Sequence, residues 1–284
     1  MTIARLSQII KRIDDLPTLP RTVLMITELV NNPRSSAREL SRVITDDQVL
    51  TARLLRLVNS SFYGFPQRIT TVTGAIVLLG FDEIRNLLLT TSLFDLFSTA
   101  RRKNGVHPEA LWDHSLGCAV SAKVIGQYIG YEKVEELFVS GLLHDIGKIV
   151  EMVYASKDFS IVEAAVAQRG LLVVKAEEEL LGYSHADVGK LLAEQWNLHP
   201  KHVEAIACHH LPHTADRFQR ETYIVHLADI LCRALDLGSG GDNKIPRLHE
   251  DSFRVLGLDV NALDPIMDTI DKEFRDIHSF AMHL

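Results

Sequence analysis

The sequence predicts an all-α protein of two helical lobes, and three observations carry that prediction. Apolar residues recur at three- and four-residue steps, as in Val23, Leu24, Ile26, Thr27 and Val30, and again in Ile84, Leu87, Leu88 and Thr91. Alternating strand patterns are scarce. Helix start and stop residues punctuate the periodic segments throughout.

Taken in order, a break at Leu16-Pro17-Thr18-Leu19-Pro20 precedes the first periodic segment. Ser35-Ser36 offers a cap to a helix beginning Ala37-Arg38-Glu39-Leu40, and Thr45-Asp46-Asp47 offers one to the helix holding Leu54, Leu55, Leu57 and Val58. Tyr63-Gly64-Phe65-Pro66 is the next break. The aromatics of Phe62-Tyr63-Gly64-Phe65-Pro66 read either as a packed turn closing the lobe or as a docking site. Arg53 and Arg56 stand at helical spacing, with Asn59, Arg68 and Arg85 nearby. They read either as a solvated face or as a surface for an acidic or phosphorylated partner, because guanidinium forks bind such groups. The composition shifts at Arg101-Arg102-Lys103-Asn104-Gly105, which sets an N-terminal helical lobe at 1–100 and a histidine-bearing helical lobe at 101–237. Inside the second lobe, Leu171-Leu172-Val173-Val174 reads as a short strand or a helix connector. Breaks follow at Gly182 and Pro212. Gly238-Ser239-Gly240-Gly241 opens a loop and a C-terminal helical appendage over 238–284.

Composition bounds the function. The chain has 284 residues, 46% of them hydrophobic and 24% charged, which excludes disorder and low-complexity fibres. No apolar run approaches the roughly 18 residues a membrane span needs, so no membrane partner is expected. No charged segment leads into an apolar one at the N-terminus, so no signal peptide is expected. Cys118, Cys208 and Cys232 form no paired framework, which predicts a reduced, cytoplasmic chain. The net charge of −7 argues against a nucleic-acid partner. That charge is unevenly spread. Residues 1–100 carry 11 basic against 9 acidic side chains, and the remainder 19 against 28. All 13 histidines fall in the acidic part.

The chemistry-bearing residues lie there. His114 opens a helix, and His144-Asp145-Ile146-Gly147-Lys148 ends an apolar run from Leu137 to Leu143. His185 follows Gly182-Tyr183-Ser184, His209-His210 ends the helix over 203–208, and Asp229 sits inside the apolar segment over 224–231. A lone ionised carboxylate in such surroundings costs several kcal/mol unless it is paired or coordinated. Imidazole and carboxylate together suit divalent transition metals. A metal at His144-Asp145 lowers the pKa of bound water to about 7. Lys148, four residues after His144, shares its face if the helix continues, and could then reach an anion held at that metal. His107, His199, His202, His213, His249, His278 and His283 read as surface or loop residues. His226, three before Asp229 on the same face, is left out of the ligand set.

In this order the residues resemble the HD superfamily of metal-dependent phosphohydrolases, in which a histidine, a His-Asp pair and a later aspartate bind metal. Those positions are His114, His144, Asp145 and Asp229. His185, His209 and His210 resemble the additional ligands of the HD-GYP branch, and Lys148 its substrate-contacting lysine. The chain from about residue 5 to 235 is more similar to the HDOD domain of bacterial signalling proteins. Leu16-Pro17-Thr18-Leu19-Pro20 resembles that domain's opening motif. The run from Thr45 to Gly64 and that from Ile69 to Gly80, followed by Ile84-Arg85-Asn86, resemble its signatures. Leu211-Pro212-His213 replaces the residues expected after the histidine pair in HD-GYP enzymes. Ala110 stands where they carry a glutamate. Cyclic-di-GMP hydrolysis is therefore not expected.

The resemblance implies a signal-transduction module of the HDOD fold. It implies one or two divalent ions (Fe, Mn, Zn, Ni or Mg) held by His114, His144, Asp145, His185, His209, His210 and Asp229. Such a module acts on a signalling protein partner or a small phosphorylated ligand, as a monomer or an oligomer. The alternative is a working phosphohydrolase in which Asp145 and Lys148 are catalytic.

Overall fold

The computed structural model describes residues 21–32, 34–59, 65, 67–88 and 109–281. Among these there are helices and turns and no strand. Contacts divide them into two compact units: 21–88 with the last helix from Lys272 onward, and 109–271.

In the first unit the helices are α1 (Arg21–Asn31), α2 (Ala37–Thr45), α3 (Gln48–Val58), α4 (Val72–Leu79) and α5 (81–88). Local chemistry sets their starts. Ser36 and Glu39 form a reciprocal capping box on α2, and the Asp47 carboxylate accepts from Leu50 N at the head of α3. Ile26, Leu40, Ile44, Leu54, Ala75 and Ile84 make a solvent-free core. Asn59 is a loop clamp: its amide donates to Leu55 O and Ile69 O, and its Oδ1 accepts from Ile69 N. Arg85 is buried and pairs with Asp82 at 3.1 Å. Phe65 packs on the core. Leu16–Pro20, Phe62–Gly64, Pro66, residues 101–105, His107 and His283 lie outside the described residues.

The second unit is built around α6 (Glu109–Tyr128), whose residues from Leu116 to Ile125 are buried on every side. Around it run α7 (Val134–Leu143), α8 (Ile146–Tyr154), α9 (Ser156–Arg169), α10 (Val173–Leu180), α11 (His185–Gln195), α12 (Pro200–Cys208) and α13 (Gln219–Ala234). Then come α14 (Ser252–Leu256) and α15 (Leu263–Ala281), of which the residues up to Asp271 belong to this unit. Val173 and Val174 begin α10, so the β-branched run is a helix start, with Leu171 and Leu172 as the connector. Helices α6 and α7 touch backbone to backbone at Gly141. A Cβ there would lie 2.6 Å from Cys118 O and 2.9 Å from Ala119 Cα. That close approach carries the end of α7 up to His114.

An ion pair ties α7 to α12. Lys201 Nζ donates to Glu136, with Lys133 3.4 Å away on the other oxygen. Burial works against the Glu136 charge, but Lys201 and then Lys133 hold its pKa below the ordinary 4.5. The folded value is the depressed one. The pair therefore stabilises above the unfolded-chain pKa and loses that contribution as pH falls through the folded value. Glu136→Gln is expected to flatten the decline in unfolding midpoint on acidification from about pH 5 to about pH 3. An unchanged acid limb would show that the pair contributes nothing.

Candidate metal centre

Five elements aim their ligand-type side chains at one point inside the second unit. His114 comes from the first turns of α6, and His144 and Asp145 from the junction of α7 and α8. His185 opens α11, His209 and His210 close α12, and Asp229 lies in α13. All are at most 3% exposed except His210, which is half-buried. The α7 helix does not continue through the pair. It stops at Leu143, Asp145 takes φ −101° and ψ 13°, and α8 starts afresh, so His144 and Lys148 do not share one helix face.

Asp145 occupies the middle. Its Oδ2 lies 3.4 Å from both His114 Nε2 and His144 Nε2. Its Oδ1 lies 3.1 Å from His185 Nε2 and 3.7 Å from His209 Nε2. Asp229 Oδ1 is 3.2 Å from His114 Nε2, and His210 Nε2 is 2.9 Å from His185 Nε2. Ligand atoms therefore gather in three overlapping groups: His114, Cys118, His144 and Asp229; His144, Asp145 and His209; His185, His209 and His210.

The outer ring nitrogens explain the orientation. His144 Nδ1 donates to Gly141 O at 2.7 Å and His209 Nδ1 to Ile206 O at 2.8 Å, each three residues back. His185 Nδ1 donates to Glu177 Oε2 at 2.7 Å. With Nδ1 committed, each Nε2 points inward. His144 Nε2 and His209 Nε2 are buried there and make no hydrogen bond. Buried polar atoms without a hydrogen bond are rare in native proteins. Imidazole nitrogens and carboxylate oxygens so placed fit a divalent cation.

The electrostatics show what the acids do to the imidazoles. Burial disfavours the Asp145 charge, yet His144, Lys148 and His185 hold its pKa well below the usual carboxylate range. Arg233 does the same for Asp229. Burial also opposes charge on His144, but Asp145 and Cys118 override it and raise its pKa to about 10. Burial and the neighbouring imidazoles push His209 and His210 the other way, well below the ordinary histidine value.

Lys148 Nζ donates to Asp145 Oδ2 at 2.6 Å and to Gly240 O at 2.7 Å. The glycine loop at 238–241 thus belongs to the wall of the centre. Beside it a cavity of about 410 Å³ is lined by Leu111, Lys148, Met152, Phe159, Val173 and Gly240. Several neighbours were not singled out from sequence. Arg233 donates to Asp229 at 2.8 Å and to Asp242 at 3.0 Å. Glu177 orients His185, and Cys118 lies beside His114. His226, on the ligand face but outside the set, donates from Nδ1 to His209 O at 2.7 Å. His202, expected at the surface, is 1% exposed and hydrogen-bonded to Ser140 at 2.7 Å, because it packs between α7 and α12.

Arg233→Ala leaves two carboxylates without their cation. Breaking a buried pair in this way costs about 3–5 kcal/mol, or roughly 6–20 °C in unfolding midpoint. The loss is expected to be smaller in metal-loaded protein, where the ion still offsets Asp229. Calorimetry of both forms checks this, and equal midpoints for variant and wild type would refute it.

A wholly helical unit with inward His, His-Asp, His, His-His and Asp groups defines an HD-type fold. Residues 16–212 match the HDOD domain family, and the chain belongs to it. It is similar to the crystal structure of an HDOD domain protein of unknown function from Geobacter sulfurreducens, with 30% identity, 97% of each chain covered and a TM-score of 0.79. It also resembles a candidate phosphohydrolase from Shewanella amazonensis SB2B, with 26% identity, 93% of each chain covered and a TM-score of 0.71. An uncharacterized protein of Treponema pallidum (strain Nichols) is 27% identical over 252 residues, 88% of this chain. The chain spans 48% of that relative's length.

Proposed function

We propose that the chain is a metal-binding HDOD signalling module holding one or two divalent ions through His114, His144, Asp145, His185, His209, His210 and Asp229. The observation that carries this reading is the pair of buried, inward-facing nitrogens His144 Nε2 and His209 Nε2, which make no hydrogen bond and gather on the Asp145 carboxylate. A bound divalent ion supplies Lewis acidity and lowers the pKa of a bound water to about 7. The module reading is favoured over turnover because the centre's own cations are engaged within the chain. Lys148 is held by Asp145 and Gly240 O, and Arg233 by Asp229 and Asp242. Its output is a surface presented to a signalling protein.

One observation favours a second reading, a phosphohydrolase acting on a small phosphoester. The cavity beside the centre reaches Lys148 and the backbone of Gly240 and Gly241, where a phosphate could replace the Gly240 carbonyl as partner of Nζ. The candidate phosphohydrolase from Shewanella amazonensis SB2B resembles this chain along most of its length.

Metal analysis of the purified chain after loading tests both readings. Stoichiometric metal in wild type and its loss in Asp145→Ala is the expected result, and no bound metal in wild type overturns both. A phosphodiesterase and nucleotidase screen with Mn²⁺ separates them. Turnover that Asp145→Ala abolishes would make the chain an enzyme, and none on a broad panel leaves the module.

A further inference from the structure

We infer that Cys118 is a metal ligand, a thiolate donor that gives one half of the centre a preference for thiophilic divalent ions such as zinc or ferrous iron. The assignment rests on the metal-binding reading above and adds a donor to it. Cys118 stands four residues after His114 on α6, so both side chains leave the same face of one helix. Its sulfur is grouped with ligand atoms of His114, His144 and Asp229, all within 4.8 Å of one another.

Two of the spacings approach those of a tetrahedral shell and a third is wider. Bonds of about 2.3 Å to sulfur and about 2.0–2.1 Å to nitrogen place neighbouring tetrahedral donors about 3.3–3.6 Å apart. Here Cys118 Sγ is 3.7 Å from His114 Nε2, Asp229 Oδ1 is 3.2 Å from the same nitrogen, and His144 Nε2 is 4.0 Å from Asp229 Oδ1. One member of this group, His144 Nε2, is fully buried and makes no hydrogen bond, with Asp145 Oδ2 3.4 Å away.

The two buried cysteines at His114 play different parts. Cys232 meets the other ring nitrogen, Nδ1, at 3.5 Å, and its thiol donates to Leu237 O and His114 O. Cys118 meets Nε2, the nitrogen that Asp229 and Asp145 also face. When the ion binds, the Cys118 S–H bond gives way to a sulfur–metal bond and the proton passes to solvent. A soft sulfur among nitrogen and oxygen donors disfavours magnesium and favours zinc-like ions.

Cobalt(II) substitution of the full chain reads this directly. Wild type is expected to retain cobalt and show the near-ultraviolet absorption of a thiolate bonded to cobalt. Cys118→Ser and Cys118→Ala are expected to lose that absorption while keeping the visible cobalt bands of the remaining ligands. Their zinc affinity is expected to fall by at least the ~10–100-fold that loss of a supporting partner costs. Cys232→Ser keeps the thiolate absorption. Cobalt retained by wild type without that absorption, or an absorption lost in Cys232→Ser and kept in Cys118→Ser, overturns the assignment while the metal-centre reading stands. No cobalt retained by wild type overturns both.

Discussion

Stripping the metal-loaded chain with a chelator is expected to lower the unfolding midpoint of the histidine-bearing unit by roughly 8–16 °C. An ion present at 1,000 times its dissociation constant stabilises the folded state by about 4 kcal/mol, and each kcal/mol is worth about 2–4 °C in a unit of this size. The cause lies in the burial of the donors. Asp145 and Asp229 are at most 3% exposed and charged, with His144 and His209 nitrogens facing them without a hydrogen bond. In the stripped centre the acids must be balanced by protons on imidazoles, which is why the pKa of His144 is drawn up to about 10. A divalent ion replaces that arrangement and satisfies the orphaned atoms together, and the unfolded chain cannot gather the same ligands. Calorimetry with and without chelator measures the difference. Asp145→Ala is expected to show little dependence on metal, because it removes the carboxylate that lies between both groups of imidazoles. The prediction fails if stoichiometrically loaded wild type melts at the same temperature before and after chelation.

What the sequence made legible follows the range of the physics. Capping acts within three residues, so Ser36 and Asp47 could be placed on their helices from local pattern alone. Ligand residue types in apolar surroundings are also visible, which is why seven candidates could be named. Partners across the chain were not. Glu177 looks like one of three consecutive surface glutamates, and only its position under His185 distinguishes it. Nothing local marks His202 as buried against Ser140, 62 residues away in sequence. Arg233 and Cys118 did leave a signal. Each stands four residues from a candidate ligand on the same helix, a spacing that puts them on one face. The Leu171–Val174 run left strand and helix connector open because β-branched residues serve a helix start as readily as a strand, and among the described residues no strand pairs with it.

Gly147→Ala is expected to be the most damaging small substitution in the unit, costing about 3 kcal/mol or more and removing metal from the His185 side of the centre. Gly147 lies between the His-Asp pair and Lys148, where α8 crosses α11 with the two backbones in contact. A Cβ at Gly147 would run into the His185 carbonyl and lie 2.8 Å from Gly189 N. Neither obstacle is the tip of a flexible side chain, so relief requires the helices to separate. Overpacking of a buried site costs about 1–3 kcal/mol when side chains can yield, and a backbone obstacle places this site at or above the top of that range. The separation also has a chemical consequence. His185 is the first residue of α11, and its Nε2 meets Asp145 Oδ1 at 3.1 Å, so moving α11 withdraws that imidazole from the carboxylate. Metal per chain is therefore expected to fall together with the unfolding midpoint, while a substitution that only loosens the core would lower the midpoint and leave the metal in place. A Gly147→Ala protein with wild-type midpoint and full metal content would show that the crossing is not under the constraint the geometry imposes. The glycine in the His-Asp-Ile-Gly-Lys run is thus a packing requirement: it is what lets a helix from elsewhere in the chain deliver its histidine to the acid.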